Sequence, residues 1–214
     1  YLVTALRAAP SIGEIIIVGN VDRLQAAFSA TSRTRYLPAG TSLFENLMLG
    51  LNEFPDAARV LVCACDTPLI TPDMIEDYLR RCADPSVDFF FPASEKSVVE
   101  KRFPGMKRTY ARLKEGTFTG GNLMLVNPTA MKQCEPSARK VIALRKSVPR
   151  LVSQMGVGFL LKFAFHQLSI ADAEAKARAL LGIRVKAVVV PFPEMGADLD
   201  KLTDYLVFQN LIGA

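Results

Sequence analysis

An α/β fold is expected, with a mostly parallel central sheet between two helical layers. Three observations predict it. Short β-branched or apolar runs alternate with segments of helical periodicity. The most apolar run, residues 59–65, has the continuous character of a strand buried on both faces. The chain is also long enough, at 214 residues, to bury a sheet covered on both sides without disulfides or a structural metal.

The elements follow in order. Helical periodicity begins at Tyr1 and is stopped by Pro10. There is no capping residue or initiator methionine ahead of it, so an N-terminal piece is expected to be missing. Residues 14–19 read as a buried parallel strand, and Asn20 caps a short helix through Phe28. A polar turn holding Arg33 and Arg35 leads to Gly40-Thr41-Ser42 and a helix over 43–52, where Ser42 and Glu45 have capping-box spacing. Asp66 ends the central strand. Thr71 then caps a helix that carries Pro72 in its first turn, where proline's missing N–H costs nothing.

Residues 88–92 predict a further strand, and 95–114 a basic stretch of loop and edge strand around the Pro104-Gly105 turn. Thr119-Gly120-Gly121-Asn122 feeds a strand over 123–126 that Asn127-Pro128 terminates. Helical periodicity then dominates a predicted insertion over about 129–184. Residues 186–190 restore a strand, 191–197 form a loop, and Asp198-Leu199-Asp200 precedes a last helix over 201–212. One domain over 1–214 is the expectation.

Half the residues are hydrophobic and 22% are charged, which excludes a disordered chain. The net charge of +5 suits a site handling phosphates but equally a basic surface without a specific partner. Cys63, Cys65, Cys82 and Cys134 lack the His company a zinc site needs and read as buried reduced thiols. No apolar run spans a bilayer. The longest candidate, 156–165, is broken by Lys162 and is expected to pack against the domain, with His166 a packed or surface residue. A cytoplasmic protein is expected, with no membrane or nucleic-acid partner; no aromatic and basic platform for nucleic acid is present.

In an open α/β sheet, ligands bind beyond the carboxyl ends of the strands. Asp66 stands there, although an Asp after a strand also serves as a turn residue. Asp198 and Asp200 follow the last strand, and Asp200 could cap the final helix, hold a cation, or do both. Magnesium takes one or two protein carboxylates and completes its shell with water and phosphate oxygens, so one Asp from each of two strand ends would suffice. Gly40-Thr41-Ser42 puts amide donors before a helix, as an anion site or as ordinary turn chemistry. The paired glycines 120 and 121 allow close approach to the backbone, by a ligand or within a tight turn, and Asn122 offers donor and acceptor groups. Arg108 and Arg112 share a face whether helical or extended and could meet phosphate oxygens, with Lys114 nearby.

In this order, Pro38-Ala39-Gly40-Thr41-Ser42, the strand ending in Cys65-Asp66-Thr67-Pro68-Leu69-Ile70, Thr119-Gly120-Gly121-Asn122 and Asp198-Leu199-Asp200 resemble the MobA-like nucleotidyltransferases. The resemblance implies a Rossmann-like, three-layer fold of the nucleotide-diphospho-sugar transferase kind. It also implies Mg2+-dependent transfer of a nucleoside monophosphate from a nucleoside triphosphate to a small-molecule acceptor, releasing pyrophosphate. By the same resemblance Asp66 and Asp200 hold the metal with Asp198 as alternate; Arg108 and Arg112, from the basic stretch, are expected to touch the substrate and assist catalysis. Gly40, Thr41 and Ser42 lie near the nucleotide, and Thr119, Gly120, Gly121 and Asn122 on the acceptor side. The family's first strand and glycine-rich phosphate loop are absent from the sequence, as expected if the missing N-terminal piece held them, and the helical insertion is longer than in compact members. A homodimer is compatible with this reading. A nucleotide-sugar glycosyltransferase and a non-catalytic nucleotide-binding protein remain the alternatives.

Overall fold

The computed structural model describes residues 1–28, 31, 33–144, 155–201, 204–206, 208 and 209. Helix α1 (Leu2–Ala8) is followed by β1 (Ile15–Gly19), α2 (Val21–Ala27), β2 (Thr34–Pro38), α3 (Leu43–Asn52) and β3 (Val60–Cys63). Next come α4 (Pro72–Arg81), β4 (Phe89–Glu95), α5 (Lys96–Arg102), β5 (Ala111–Leu113), β6 (Gly116–Gly120) and β7 (Leu123–Val126). Helices α6 (Pro128–Leu144), α7 (Val157–Ala164) and α8 (Ile170–Leu181) precede β8 (Val185–Val190) and a 3-10 turn, Pro193–Gly196.

Side-chain caps set the helix starts where short polar residues lead. Asn20 Oδ1 accepts from the Arg23 amide at 3.0 Å, and Thr71 caps α4 with Pro72 behind it. Helix α8 opens on a capping box of Ser169 and Asp172 and closes on Gly182 in the left-handed region at φ 76°.

Strands β1 and β2 form a parallel pair, registered Ile15 to Thr34 through Gly19 to Pro38. The larger sheet runs β3-β7-β4-β6-β5, with β8 parallel to β4. The expected mostly parallel sheet is therefore corrected. Among the described residues the pairings β3 to β7, β7 to β4, β4 to β6 and β6 to β5 are all antiparallel. The physical reason is local. Residues 111–120 fold as a hairpin with two residues at its tip, and a hairpin returns a strand in the opposite direction where a helical crossover would not.

Alternation along the strands divides the core. From β7, Leu123 and Leu125 face α1 and α4, with Phe90 and Val188 beside them and Ile75 and Tyr78 fully buried opposite. Val126 and Met124 face the other way, onto Phe44, Met48 and Leu51 of α3 and Met131 and Cys134 of α6. The sheet thus lies between two helical layers. A third cluster of Val99, Phe103, Met106, Ala197 and Phe208 joins α5 to the segment after β8, with the Phe103 and Phe208 rings edge to face at 5.8 Å.

Other expectations change as well. The polar turn at Arg33 and Arg35 is largely strand β2, whose Thr34, Arg35, Tyr36 and Leu37 pair with β1. The basic stretch contains α5, and residues 116–120 are strand. Residues 156–165 are less buried than expected: α7 has no buried residue, with Phe159 and Leu160 half-buried, while His166 is a surface residue at φ 56°. Cys65 is exposed, unlike Cys82 and Cys134. Residues 145–154 of the expected helical insertion, and 202, 203, 207 and 210–212 of the expected last helix, lie outside the described residues. No helix among the described residues is long and apolar enough to cross a membrane.

Candidate active site

The site is assembled at one end of the larger sheet by a segment that crosses strand after strand. The Ser94 hydroxyl at the end of β4 donates to the Phe192 carbonyl at 3.1 Å. Beside it, the Asn122 amide at the start of β7 donates to the Met195 carbonyl at 2.8 Å. Beyond β3, the Leu199 amide donates to the Asp66 carbonyl at 2.9 Å. Residues 192–199 are thus fastened across β4, β7 and β3 in their spatial order, which delivers Asp198 and Asp200 to Asp66. One carboxylate oxygen from each of Asp66, Asp198 and Asp200 lies within 4.8 Å of the others. Adjoining like charges are costly unless offset.

One offset is present. Arg108, in the loop after α5, donates from Nη1 to Asp198 Oδ1, and both side chains are mostly buried, at 13% and 19% exposure. Asp66 differs: its Oδ1 is buried with no hydrogen-bond partner among the described residues. The Asn122 side chain is in the same position, its Nδ2 buried and unpartnered among the described residues, while the backbone carbonyl of Asn122 accepts from the Ala64 amide at 3.0 Å. A buried acceptor and a buried donor without partners, on either side of one backbone bond, are the usual marks of a site whose ligand supplies the missing contacts. The Arg102 to Glu194 pair at 2.9 Å anchors α5 to the 3-10 turn on the same side.

The remaining sequence candidates divide. The amides of Gly40 and Thr41 are not open: Gly40 donates to Asn46 Oδ1 and Thr41 to Glu45 Oε2, each at 2.7 Å, and the Thr41 hydroxyl also bonds Glu45. The Glu45 carboxyl is held below its ordinary range by those Thr41 bonds. Ser42 accepts from the Glu45 amide at 3.2 Å, so it caps α3 as expected, but Glu45 reaches past it to Thr41.

The two glycines have different reasons. A Cβ at Gly121 would lie 2.6 Å from Pro92 Cγ and 2.7 Å from the Met195 carbonyl oxygen, so β4 and the strap formed by residues 192–199 require a glycine there. A Cβ at Gly120 would meet nothing within 4 Å. Thr119 is buried and lies against Gly196. Arg112 is exposed on β5, opposite Thr117, and is not drawn to the aspartates by any described contact. The helix-capping role of Asp200 falls on residues 202 and 203, outside the described ones; the Lys201 amide is taken by Asp204 Oδ2 at 2.9 Å.

Sequence reasoning missed the strap itself, the Arg108 to Asp198 pair and Arg102. Helix α5, which carries Arg102, was visible as the i, i+4 apolar pair Val99 and Phe103, both almost fully buried. Nothing in the sequence signalled the backbone bonds of Asn122 and Leu199.

A hypothetical transferase from Thermus thermophilus is 38% identical, with 95% of this chain and 83% of that chain covered and a TM-score of 0.84. The 4-diphosphocytidyl-2C-methyl-D-erythritol synthase of Anaerococcus prevotii superposes with a TM-score of 0.60 at 10% identity, covering 99% and 84% of the two chains. A CMP:2-keto-3-deoxy-manno-octonic acid synthetase complexed with CTP gives 0.58 at 12% identity, covering 99% and 86%. The last two share the fold, that of the nucleotide-diphospho-sugar transferases. No curated protein matched the sequence. The model of the MobA-like NTP transferase domain matches residues 1–154, which takes in Asp66, Arg108 and residues 119–122. With 154 of its 214 residues so matched, the chain belongs to the MobA-like NTP transferase domain family and is a nucleotidyltransferase.

Proposed function

We propose that the chain transfers a nucleoside monophosphate from a nucleoside triphosphate to a phosphorylated or hydroxyl-bearing small-molecule acceptor, with release of pyrophosphate and with Mg2+ held by Asp66 and Asp200. The observation that carries this reading is the convergence of three aspartates, from positions 66 and 198–200, within 4.8 Å. The residues fit a hard divalent cation. The donors are carboxylate oxygens, and the orphaned Asp66 Oδ1 is an acceptor that a cation would satisfy. Asp198 is already balanced by Arg108, which leaves Asp66 and Asp200 as the pair for the ion.

Asp66 and Asp200 would hold the ion, which would supply positive charge to offset that of the departing pyrophosphate. The chain's own residues do the rest. The strap fixes Asp66 through its carbonyl, so the carboxylate is preorganised. Arg108 holds a guanidinium beside the site, where free donors can meet phosphate oxygens as they gain charge. Arg112 is the second basic group of this reading. Asn122 Nδ2, with Thr119, Gly120 and Gly121 around it, orients the acceptor oxygen toward the α-phosphorus. That oxygen bonds to the α-phosphorus as the bond to the β-phosphate oxygen breaks, and no covalent enzyme intermediate forms. Residues 40–42 lie near the nucleotide, with the Gly40 and Thr41 amides occupied by Asn46 and Glu45 until a ligand competes for them.

The structural neighbour complexed with CTP supports a pyrimidine triphosphate as the first donor to test. Wild type is expected to release pyrophosphate from a triphosphate only with Mg2+ and an acceptor present. Asp66→Ala should lose at least about a thousandfold in turnover, since it removes a ligand on which transition-state charge depends, with an unchanged circular dichroism spectrum. Normal Mg2+-dependent pyrophosphate release by that variant would refute the assignment, and nucleoside diphosphate release from a nucleotide-sugar would transfer the reading to a glycosyltransferase.

A further inference from the structure

Helices α7 and α8 do not close tightly over the sheet. Between α8 and strands β4, β5, β6 and β8 lies a cavity of about 260 Å3, near the lower end of the roughly 300–1,000 Å3 of small-molecule pockets. Its cause is in the side chains. Where helix and sheet face each other, both contribute small residues: Ala173 and Ala177 from α8, Ala93 and Ala187 from the strands, and Gly120 at the end of β6. Gly120 is not explained by packing or backbone conformation, because a Cβ there would meet nothing within 4 Å and its φ is not positive. Its missing side chain leaves cavity space.

The walls are almost wholly apolar. Glu174 is the one charged residue among those lining the cavity, and its Oε1 already accepts from the Ala187 amide at 2.8 Å. Water in such a space would find few partners, so the chemistry favours hydrocarbon. The apolar surface also continues outward. Phe163 lines the cavity, and α7 and the residue after it present Val157, Leu161, Phe163 and Phe165 to solvent at 73, 53, 51 and 70% exposure. Phe163 is the residue of α7 that joins the cavity wall to solvent, since it lines the cavity and is half exposed. At its inner end the cavity is walled by Thr119 and Gly120, directly before the orphaned Asn122 amide.

We infer that the acceptor carries a hydrocarbon chain, which lies in this cavity and runs out along α7, while its phosphate or hydroxyl head reaches the aspartate site past residues 119–122. This inference rests on the nucleotidyltransferase reading for the head group and on the cavity alone for the chain. A cavity that reaches a half-exposed Phe163 suits an extended chain, which can begin inside and continue outside, better than a compact ring.

The test uses butyl, hexyl, octyl and decyl phosphate as probes, titrated calorimetrically against the full chain below their micellar concentrations. Each methylene that enters the cavity should tighten binding about fourfold, and Ala177→Phe, which fills the space, should abolish that dependence while leaving CTP and Mg2+ binding unchanged. A flat chain-length series in wild type overturns the inference, and so does a steep series that survives in Ala177→Phe. Should Ala177→Phe fail to bind CTP and Mg2+, Ala173→Leu, one turn earlier on α8 and also lining the cavity, takes its place and is read by the chain-length series in the same way. Alkyl phosphate binding without any pyrophosphate release from a triphosphate would leave the cavity assignment standing and remove only the nucleotidyltransferase reading.

Discussion

Gly121 has contact with β4 and with the strap at once, and its hydrogen is the only substituent that fits between Pro92 Cγ and the Met195 oxygen. Its amide also donates to the Pro92 carbonyl at 2.9 Å. Gly121→Ala must therefore move backbone, not the tip of a flexible side chain. We expect a loss of about 1–3 kcal/mol in denaturant unfolding, the usual range for overpacking, together with weakened Mg2+ binding, because the displaced strap carries Asp198 and Asp200. Gly120→Ala, one residue earlier, should be near neutral in stability, and equal costs at the two positions would contradict this account. The sequence showed a glycine pair of interest but not which member was structural, since that depends on Met195, a residue 74 positions later whose approach no local pattern encodes. Asp66 was legible for the opposite reason: an apolar strand followed by Asp places a carboxylate at the sheet's end by local geometry alone.

At the scale of the element, the legible parts were those whose signals lie within a few residues. The caps at Asn20, Ser42, Thr71 and Ser169 each satisfy an orphan amide of their own first turn, and three of them were read directly. Strand β2 was hidden because Arg33 before it and Arg35 within it resemble a turn, while its pairing to β1 is a tertiary fact. The edge strand expected in the basic stretch is β5, where charge discourages further pairing, but its hairpin partner β6 was not read. Helix α8 offers a pH test of its cap. Asp172 accepts from Lys162 Nζ at 2.6 Å and from the Ser169 amide and hydroxyl at 3.0 and 2.9 Å. The Lys162 bond first, then the Ser169 bonds, pull its carboxyl from 3.8 to about 2. A depressed carboxylate contributes stability that is complete above its ordinary value and is lost as pH falls through the folded one. The difference in melting temperature between wild type and Asp172→Ala should accordingly be constant at neutral pH and shrink between 3.8 and about 2. A gap that instead widens on acidification would contradict the assignment.

For the whole molecule, the decisive fact is how a chain with net charge +5 keeps three carboxylates together. Among the described residues only Asp198 of the three has an ion-pair partner, Arg108. Asp66 and Asp200 sit on elements joined by the strap, which draws together residues more than 130 positions apart, so their mutual repulsion acts against the packing of the strap on β3, β4 and β7. A divalent ion would remove that repulsion and then favour the triphosphate, which otherwise meets uncompensated negative charge. Nucleotide and metal should therefore stabilise the native state cooperatively. At a hundredfold excess over Kd a ligand that binds only the folded chain adds about 2.7 kcal/mol. In a thermal-shift titration, CTP with Mg2+ should raise the melting temperature by more than the sum of the two separate shifts, and chelation should abolish the CTP effect. In Asp66→Ala the excess should vanish. If CTP stabilises wild type equally with Mg2+ and with chelator, the carboxylates do not couple to the triphosphate through an ion, and the basic groups near Arg108 must bind it unaided.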